Sequence, residues 1–137
     1  MAMSDGVNLA SLKVLVIDDQ EFVRTIVKKM LTQLGVGAVI EAHDGHSGLE
    51  AVQAEAPDLV ICDIQMRPVD GFGFVRQLRA IPAIARTPVI MLTAHTDAST
   101  VARAKELDIG AFLAKPVLPP ALKEKIIRVL VRSTVGA

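Results

Sequence analysis

The chain has 137 residues, 51% of them hydrophobic and 22% charged, a composition that builds one folded domain and excludes a disordered chain. Lys plus Arg number 15 and Asp plus Glu number 15, so no net field is available to hold a polyanion, and nucleic-acid binding would need a local basic patch. The single cysteine, Cys62, excludes an internal disulfide framework and a cysteine-rich zinc site.

Residues 1–11 are small and polar with no hydrophobic period, and are predicted to be a flexible N-terminal tail. The domain is expected over 12–133, with a C-terminal tail over 134–137 and no output domain. Lys13-Val-Leu-Val-Ile17 is a continuous apolar run, which suits a strand covered on both faces, and it stops at Asp18-Asp19. A helical period follows, with Val23, Ile26, Val27, Met30, Leu31 and Leu34 on one face and Gly35 fitting its C-terminal cap. Ala38 to Glu41 reads as a weaker strand. Asp44-Gly45 opens a second helix with Leu49 and Val52 inward, ended by Pro57.

Leu59-Val-Ile-Cys62 is a second buried-type strand and stops at Asp63; Asp70-Gly71 turns into a third helix carrying Phe72, Val75 and Leu78. Val89-Ile-Met-Leu92 ends at Thr93, and Thr96 or Asp97 can cap a fourth helix that runs to about Leu107. Its apolar stripe (Val101, Ala102, Lys105, Leu107) is thin, which marks it as weakly anchored. Ala111-Phe-Leu-Ala114 is the last strand and stops at Lys115-Pro116. Pro119-Pro120 begins a fifth helix whose core face is Leu122, Ile126, Val129 and Leu130, with Ile127 and Val131 widening it. Five strands alternating with five helices predict an α/β domain, a parallel sheet with helices on both faces. The apolar runs are far too short to span a bilayer and no signal peptide opens the chain, so a cytoplasmic protein without membrane contact is expected.

Four of the strands stop at polar residues: Asp18-Asp19, Asp63, Thr93 and Lys115. In an open parallel sheet, ligands bind outside the carboxyl ends of the strands. A lone Asp after a strand is commonly a cap or turn residue, but this set would converge on one edge. Two unit charges ~5 Å apart repel by about 3 kcal/mol at an effective dielectric of 20. Three carboxylates therefore ask for a counter-ion or a shifted pKa. Oxygen-only ligands select a hard ion, and Mg2+ (or Mn2+) is the expected cofactor because it keeps waters and pairs with phosphoryl groups. Lys115 and Thr93 would hold phosphoryl oxygens, leaving Asp63 as a nucleophile able to form an acyl phosphate.

From Leu12 to Val131 the chain resembles the receiver domain of two-component response regulators. The residues that carry the likeness are Val-Leu-Val-Ile-Asp18-Asp19, Asp63-Ile-Gln-Met with Asp70-Gly71 following, Leu-Thr93-Ala94, and Gly110-Ala-Phe112-Leu-Ala-Lys115-Pro116. The resemblance implies a single flavodoxin-like (βα)5 domain with strand order 2-1-3-4-5. It implies Asp63 as phosphoacceptor, with a metal site made by Asp19, by Asp18 through a metal-bound water, by Asp63 and by the main-chain carbonyl of Gln65. Thr93 would be the switch hydroxyl, Lys115 the phosphate-contacting lysine and Phe112 the aromatic switch residue, which lacks a tyrosine's hydroxyl and would act by packing alone. Gln65 and His95 stand where the family tunes dephosphorylation: either can meet the phosphoryl group or a water, and His95 can equally face solvent. His43 and His46 read as surface residues with no zinc site. Cys62 reads as core, and the loop residue Met66 as a partner contact.

The sequence departs from the family at Arg67, where a proline is common; the proline comes next, as Pro68. The implied function is a phosphorylation-controlled regulatory domain and not an enzyme. It would be fed by a histidine kinase or histidine phosphotransfer protein, and would signal to a downstream target through the face of the fourth helix, fifth strand and fifth helix. A phosphorylation-dependent dimer is left open, as is a receiver belonging to a larger regulator or hybrid kinase. An aspartyl-phosphate-type phosphatase would carry a second acid two residues after the nucleophile, where this chain has Gln65. A flavin-binding module would not place Asp18-Asp19 at a phosphate loop, and the intact acidic set argues against an unphosphorylated scaffold.

Overall fold

The structure is a computed structural model that describes residues 3–4, 7–94 and 97–135, with side chains over 7–94 and 97–131. Five strands are β1 (Lys13–Ile17), β2 (Ala38–Ala42), β3 (Leu59–Asp63), β4 (Val89–Thr93) and β5 (Ala111–Ala114). Five helices are α1 (Glu21–Gln33), α2 (Gly45–Glu55), α3 (Gly71–Ala80), α4 (Ala98–Glu106) and α5 (Pro119–Val135). All four strand pairings are parallel, in the order β2-β1-β3-β4-β5, as the resemblance implied.

Strand side chains alternate between two cores, which is why the runs are continuously apolar. Val14, Val16, Leu59, Ile61, Ile90 and Leu92 pack with α1 (Val27, Leu31) and α5 (Leu122, Ile126, Val129). Leu15, Ile17, Val60, Cys62, Val89 and Met91 pack with α2 (Val52), α3 (Phe72, Phe74, Val75, Leu78) and α4 (Ala104). The helix starts are those the sequence marked. Asp44 closes a capping box with Ser47 on α2, Asp70 accepts the Gly73 N–H at 2.8 Å on α3, and Asp97 accepts the Thr100 N–H at 2.9 Å on α4. Gly35, just past α1, has φ 96°, a conformation that glycine adopts without a Cβ clash.

Five expectations need correction. Residues 1–11 are not a structureless tail throughout: Met3–Ser4 pairs antiparallel with Val7–Asn8, and Val7 and Leu9 are buried in the α1/α5 core. Leu9 O accepts the Gly37 N–H at 3.2 Å, and a Cβ on Gly37 would run into the Ala10 carbonyl, so the segment docks where residue 37 has no side chain. At the other end α5 runs to Val135, past the expected boundary at 133. Ile26, expected in the core, is exposed. Met66, expected at a partner surface, is buried in the α2–α4 core because the loop after β3 folds back over the sheet edge. The thin face expected of α4 is present, but its buried residue is Ala104, and Ala102 is exposed.

Candidate phosphoacceptor and metal site

The site lies where the sheet's hydrogen-bond ladder runs past the strand ends. The Asp18 N–H donates to Ala42 O at 3.2 Å, Ile64 N–H to Leu92 O at 3.1 Å and Lys115 N–H to Thr93 O at 3.0 Å. The residues at and just past the strand ends therefore keep the register of the sheet, and the side chains of Asp18, Asp63, Thr93 and Lys115 are brought to one rim. Lys115 Nζ sits 3.0 Å from Asp63 Oδ1 and 3.7 Å from Asp18 Oδ2. One carboxylate oxygen from each of Asp18, Asp19 and Asp63 falls within a 4.8 Å cluster.

Asp18, Asp63 and Thr93 are the buried polar residues of the fold among those described, and all three belong to this rim. Asp18 is wholly inaccessible and Asp19 is exposed. Asp18 Oδ1 accepts the Gln20 N–H at 2.9 Å, so one oxygen does the helix-start work of a turn aspartate. Its Oδ2 is buried without a hydrogen-bond donor. Burial pushes the Asp18 carboxyl above its usual range; the nearby Asp63 and Asp19 charges add to this, while the Gln20 N–H and the Lys115 ammonium oppose it. An orphaned carboxylate oxygen, three convergent acids and an all-oxygen donor set fit a small hard cation.

Around this centre, Gln65 is exposed at the rim and Arg67 is also exposed. Phe112 is half-buried on edge strand β5 against the α2–α4 core. His95 lies outside the described residues. His43 and His46 are exposed; His43 lies against Asp44 and Ser47, and His46 against Glu50. Cys62 is buried, donates weakly to Asp63 O, and has its thiol pushed well above the usual range by burial, so it is a core residue.

Two participants were not singled out from sequence. Gly71 packs so closely under the site that a Cβ would run into the Asp63 carbonyl, while its N–H donates to Ile64 O at 2.7 Å. The Asp70-Gly71 turn was legible, but its close approach to residue 63 was not. Arg24 of α1 donates through Nη1 to the Asp18 carbonyl at 2.6 Å. Its position one helical turn beyond the acidic pair is the signal by which the sequence marks it.

Residues 14–127 match the family model for the response regulator receiver domain. The chain belongs to that family. It is 36% identical over 115 residues to a protein described as a probable chemotaxis protein CheY of Rhizobium etli, covering 84% of this chain and 89% of that one. It is 38% identical over 120 residues to the probable transcriptional regulator ycf27 of Porphyridium aerugineum, of which it spans only 48%. The solved structure of the chemotaxis protein CheY4 of Vibrio cholerae matches with a TM-score of 0.81 at 32% identity, over 87% of this chain and 98% of that one.

Proposed function

We propose that this receiver domain accepts a phosphoryl group on Asp63 from a phosphohistidine and relays the change through α4, β5 and α5 by protein contact. The observation that carries the reading is the Lys115 ammonium 3.0 Å from a buried Asp63 oxygen, beside two further carboxylates. An Asp63 oxygen attacks phosphorus: a P–O bond forms as the donor's P–N bond breaks, and the electron pair leaves on the donor's imidazole nitrogen, which is protonated from solvent. A carboxylate needs no general base for this step, so the protein's part is positioning and charge.

Asp18, Asp19, Asp63 and the Gln65 main-chain carbonyl would hold Mg2+ or Mn2+, which supplies charge neutralisation between the acids and the incoming phosphoryl oxygens. Lys115 carries the matching positive charge and is 27% exposed, so it can follow an oxygen that moves outward. Thr93, buried at the end of β4, offers its hydroxyl to the new dianion. As that hydroxyl shifts, Phe112 turns inward by packing, and α4, held by the small buried Ala104, is repositioned. Gln65 and His95 tune the access of water to the acyl phosphate.

The donor is a histidine kinase or histidine phosphotransfer protein. Phe22 at 75% exposure and Leu118 at 62% are large apolar side chains left open on α1 and on the loop after Lys115. They lie three residues beyond Asp19 and Lys115 in the chain, and a donor that reaches Asp63 would meet them. The output is a target protein, with a phosphorylation-dependent dimer on the same face as a further outcome. Zero net charge gives no reason to invoke nucleic acid, and no helix among the described residues is long and apolar enough to cross a membrane; a cytoplasmic regulator fits both. The 48% span of the longer relative favours a second reading in which the same switch is one module of a larger regulator. The phosphatase alternative lacks its acid at Gln65.

Mass spectrometry after incubation with acetyl phosphate tests the reading. One added phosphoryl group is expected, dependent on Mg2+ and absent in Asp63→Asn. Labelling of that variant, or labelling indifferent to Mg2+, would overturn it.

A further inference from the structure

The acidic rim is supported from outside by a short chain of contacts that the proposed chemistry does not itself use. Arg24 is on the first turn of α1, and its side chain is only 15% exposed. Its Nη1 donates to the Asp18 carbonyl at 2.6 Å, and its Nε donates to Glu41 Oε1 at 3.3 Å. Glu41 lies on β2, next to Ala42, whose carbonyl accepts the Asp18 N–H. The second Glu41 oxygen meets Lys28 Nζ at 3.5 Å. The main chain of Asp18 is thus held at both ends: by Ala42 through its N–H and by Arg24 through its carbonyl. Its side chain is held at one oxygen by Gln20, and the other oxygen has no hydrogen-bond donor, with Lys115 Nζ 3.7 Å away.

That carbonyl belongs to the peptide plane joining Asp18 to Asp19. Rotating the plane would move both carboxylates relative to Asp63. We propose that Arg24 is a positioning residue for the cation site: gripped by Glu41, it fixes the Asp18–Asp19 peptide so that both side chains present an oxygen to the same divalent ion. The inference rests on the metal-binding reading of the acidic rim. A fork with two engaged nitrogens suits the task, because an ammonium would meet the carbonyl and Glu41 at a single point.

The sign of the effect separates positioning from simple charge. Removing a cation beside a cation site should tighten divalent-ion binding if Arg24 acts only through its charge. Removing a group that orients the ligands should weaken it, by about 10–100-fold in the range seen for outer-shell partners of metal ligands. Mn2+ titration followed by the electron paramagnetic resonance of the free ion reads binding directly, with no phosphoryl donor present. Arg24→Met is expected to bind Mn2+ at least about tenfold more weakly than the wild type. Arg24→Lys, which keeps the charge but not the fork, should also bind more weakly. Lys28→Ala, which removes a charge from the far side of Glu41, should stay within about twofold or bind slightly tighter.

Urea unfolding of each variant establishes that a folded protein is being titrated; if Arg24→Met does not fold, Arg24→Lys decides the matter. Binding by a folded Arg24 variant within about twofold of the wild type, or tighter, overturns the proposal, as does equal weakening in Lys28→Ala. Failure of the wild type itself to bind Mn2+ would instead strike the proposed function.

Discussion

Lys115 and Asp63 meet across two strand ends: Lys115 follows edge strand β5, Asp63 closes central strand β3, and Nζ stands 3.0 Å from Oδ1 with β4 between the two strands. The contact neutralises one of three clustered acids before any other cation arrives. Its removal should therefore have opposite effects on two ligands. Lys115→Met is expected to bind Mn2+ at least as tightly as the wild type, since the ammonium competes for the same carboxylate oxygens. It should be labelled by acetyl phosphate more slowly, by about 10–100-fold, because a charge that meets the phosphoryl oxygens is gone. Its amide spectrum over α4 should change little on labelling. Wild-type kinetics together with wild-type spectral changes would remove Lys115 from the mechanism.

Asp18 predicts an inverted pH response. Its carboxyl is held above its ordinary value of about 3.8, chiefly by burial. The folded state then holds the proton more tightly than the unfolded one, so stability is greatest below the unfolded value. It falls as pH rises from about 3.8 through the raised folded value, and the penalty persists at neutral pH. Asp18→Asn keeps the shape without the charge and should be more stable than the wild type at pH 7 in the absence of divalent ions, on the order of 1 kcal/mol in urea unfolding. The difference should vanish at acid pH. Mg2+ should restore the wild type, adding about 2.7 kcal/mol at a hundred times its dissociation constant, and do little for Asp18→Asn. A less stable Asp18→Asn at pH 7 would contradict this account of the recess.

The sheet and most of the rim were legible in sequence because both follow from periodicity and from what ends each run. Val14–Ile17, Leu59–Cys62 and Val89–Leu92 read as continuous strands because two helical layers cover them, and the polar residues that stop them form the rim. What escaped depended on contacts between distant segments. Val7 and Leu9 are isolated apolar residues in a polar stretch, and their burial requires the pairing of Leu9 with Gly37, which no local pattern announces. Ile26 shares the spacing of Val23 and Met30, yet it lies at the border of the stripe and faces out. Met66 looked like a loop residue because the folding back of its loop is a tertiary event. Arg24 stands at a suggestive spacing from the acidic pair, but its bond to the Asp18 carbonyl is a tertiary contact of the same kind.

Gly71 has a stricter requirement than its place in a turn suggests. A Cβ there would run into the Asp63 carbonyl, approach Met91 Cε at 2.7 Å and Ile64 Cα at 2.9 Å. Met91 can swing aside, but the two backbone atoms cannot without moving the end of β3. Gly71→Ala should therefore cost about 1–3 kcal/mol in urea unfolding, as overpacking does. It should also slow labelling of Asp63, because the displaced strand end carries the proposed acceptor. Gly73→Ala, whose added Cβ meets the side-chain atom Val69 Cγ1 at 2.7 Å and no backbone atom of β3, is the useful comparison. Equal labelling rates for the two variants would separate Gly71 from the site.

Arg79 ties the C-terminal end of α4 to α3 and to the loop before β4. Its Nε and Nη2 donate to the carbonyls of Leu107 and Asp108 at 2.9 and 3.0 Å, just past the C-terminus of α4. Its Nη1 donates to the carbonyls of Ala85 and Thr87 at 2.9 and 2.6 Å, in the loop before β4. One guanidinium on α3 thus pins the end of α4 to the rest of the fold. Arg103 of α4 adds a second tie, stacking 4.2 Å from the centre of the buried Phe72 ring. Rearrangement of α4 on phosphorylation is then expected to pivot about its C-terminal end and be largest near Asp97. Arg79→Met leaves four carbonyls without their charged donor and should cost about 2–4 kcal/mol, since a hydrogen bond to a charged group is worth about 1.5–3 kcal/mol and the four are not additive. Amide hydrogen exchange should rise most over residues 103–109, with the N-terminal turn of α4 changed less. Uniform loosening of the whole helix would show that Arg79 adds stability without creating a pivot.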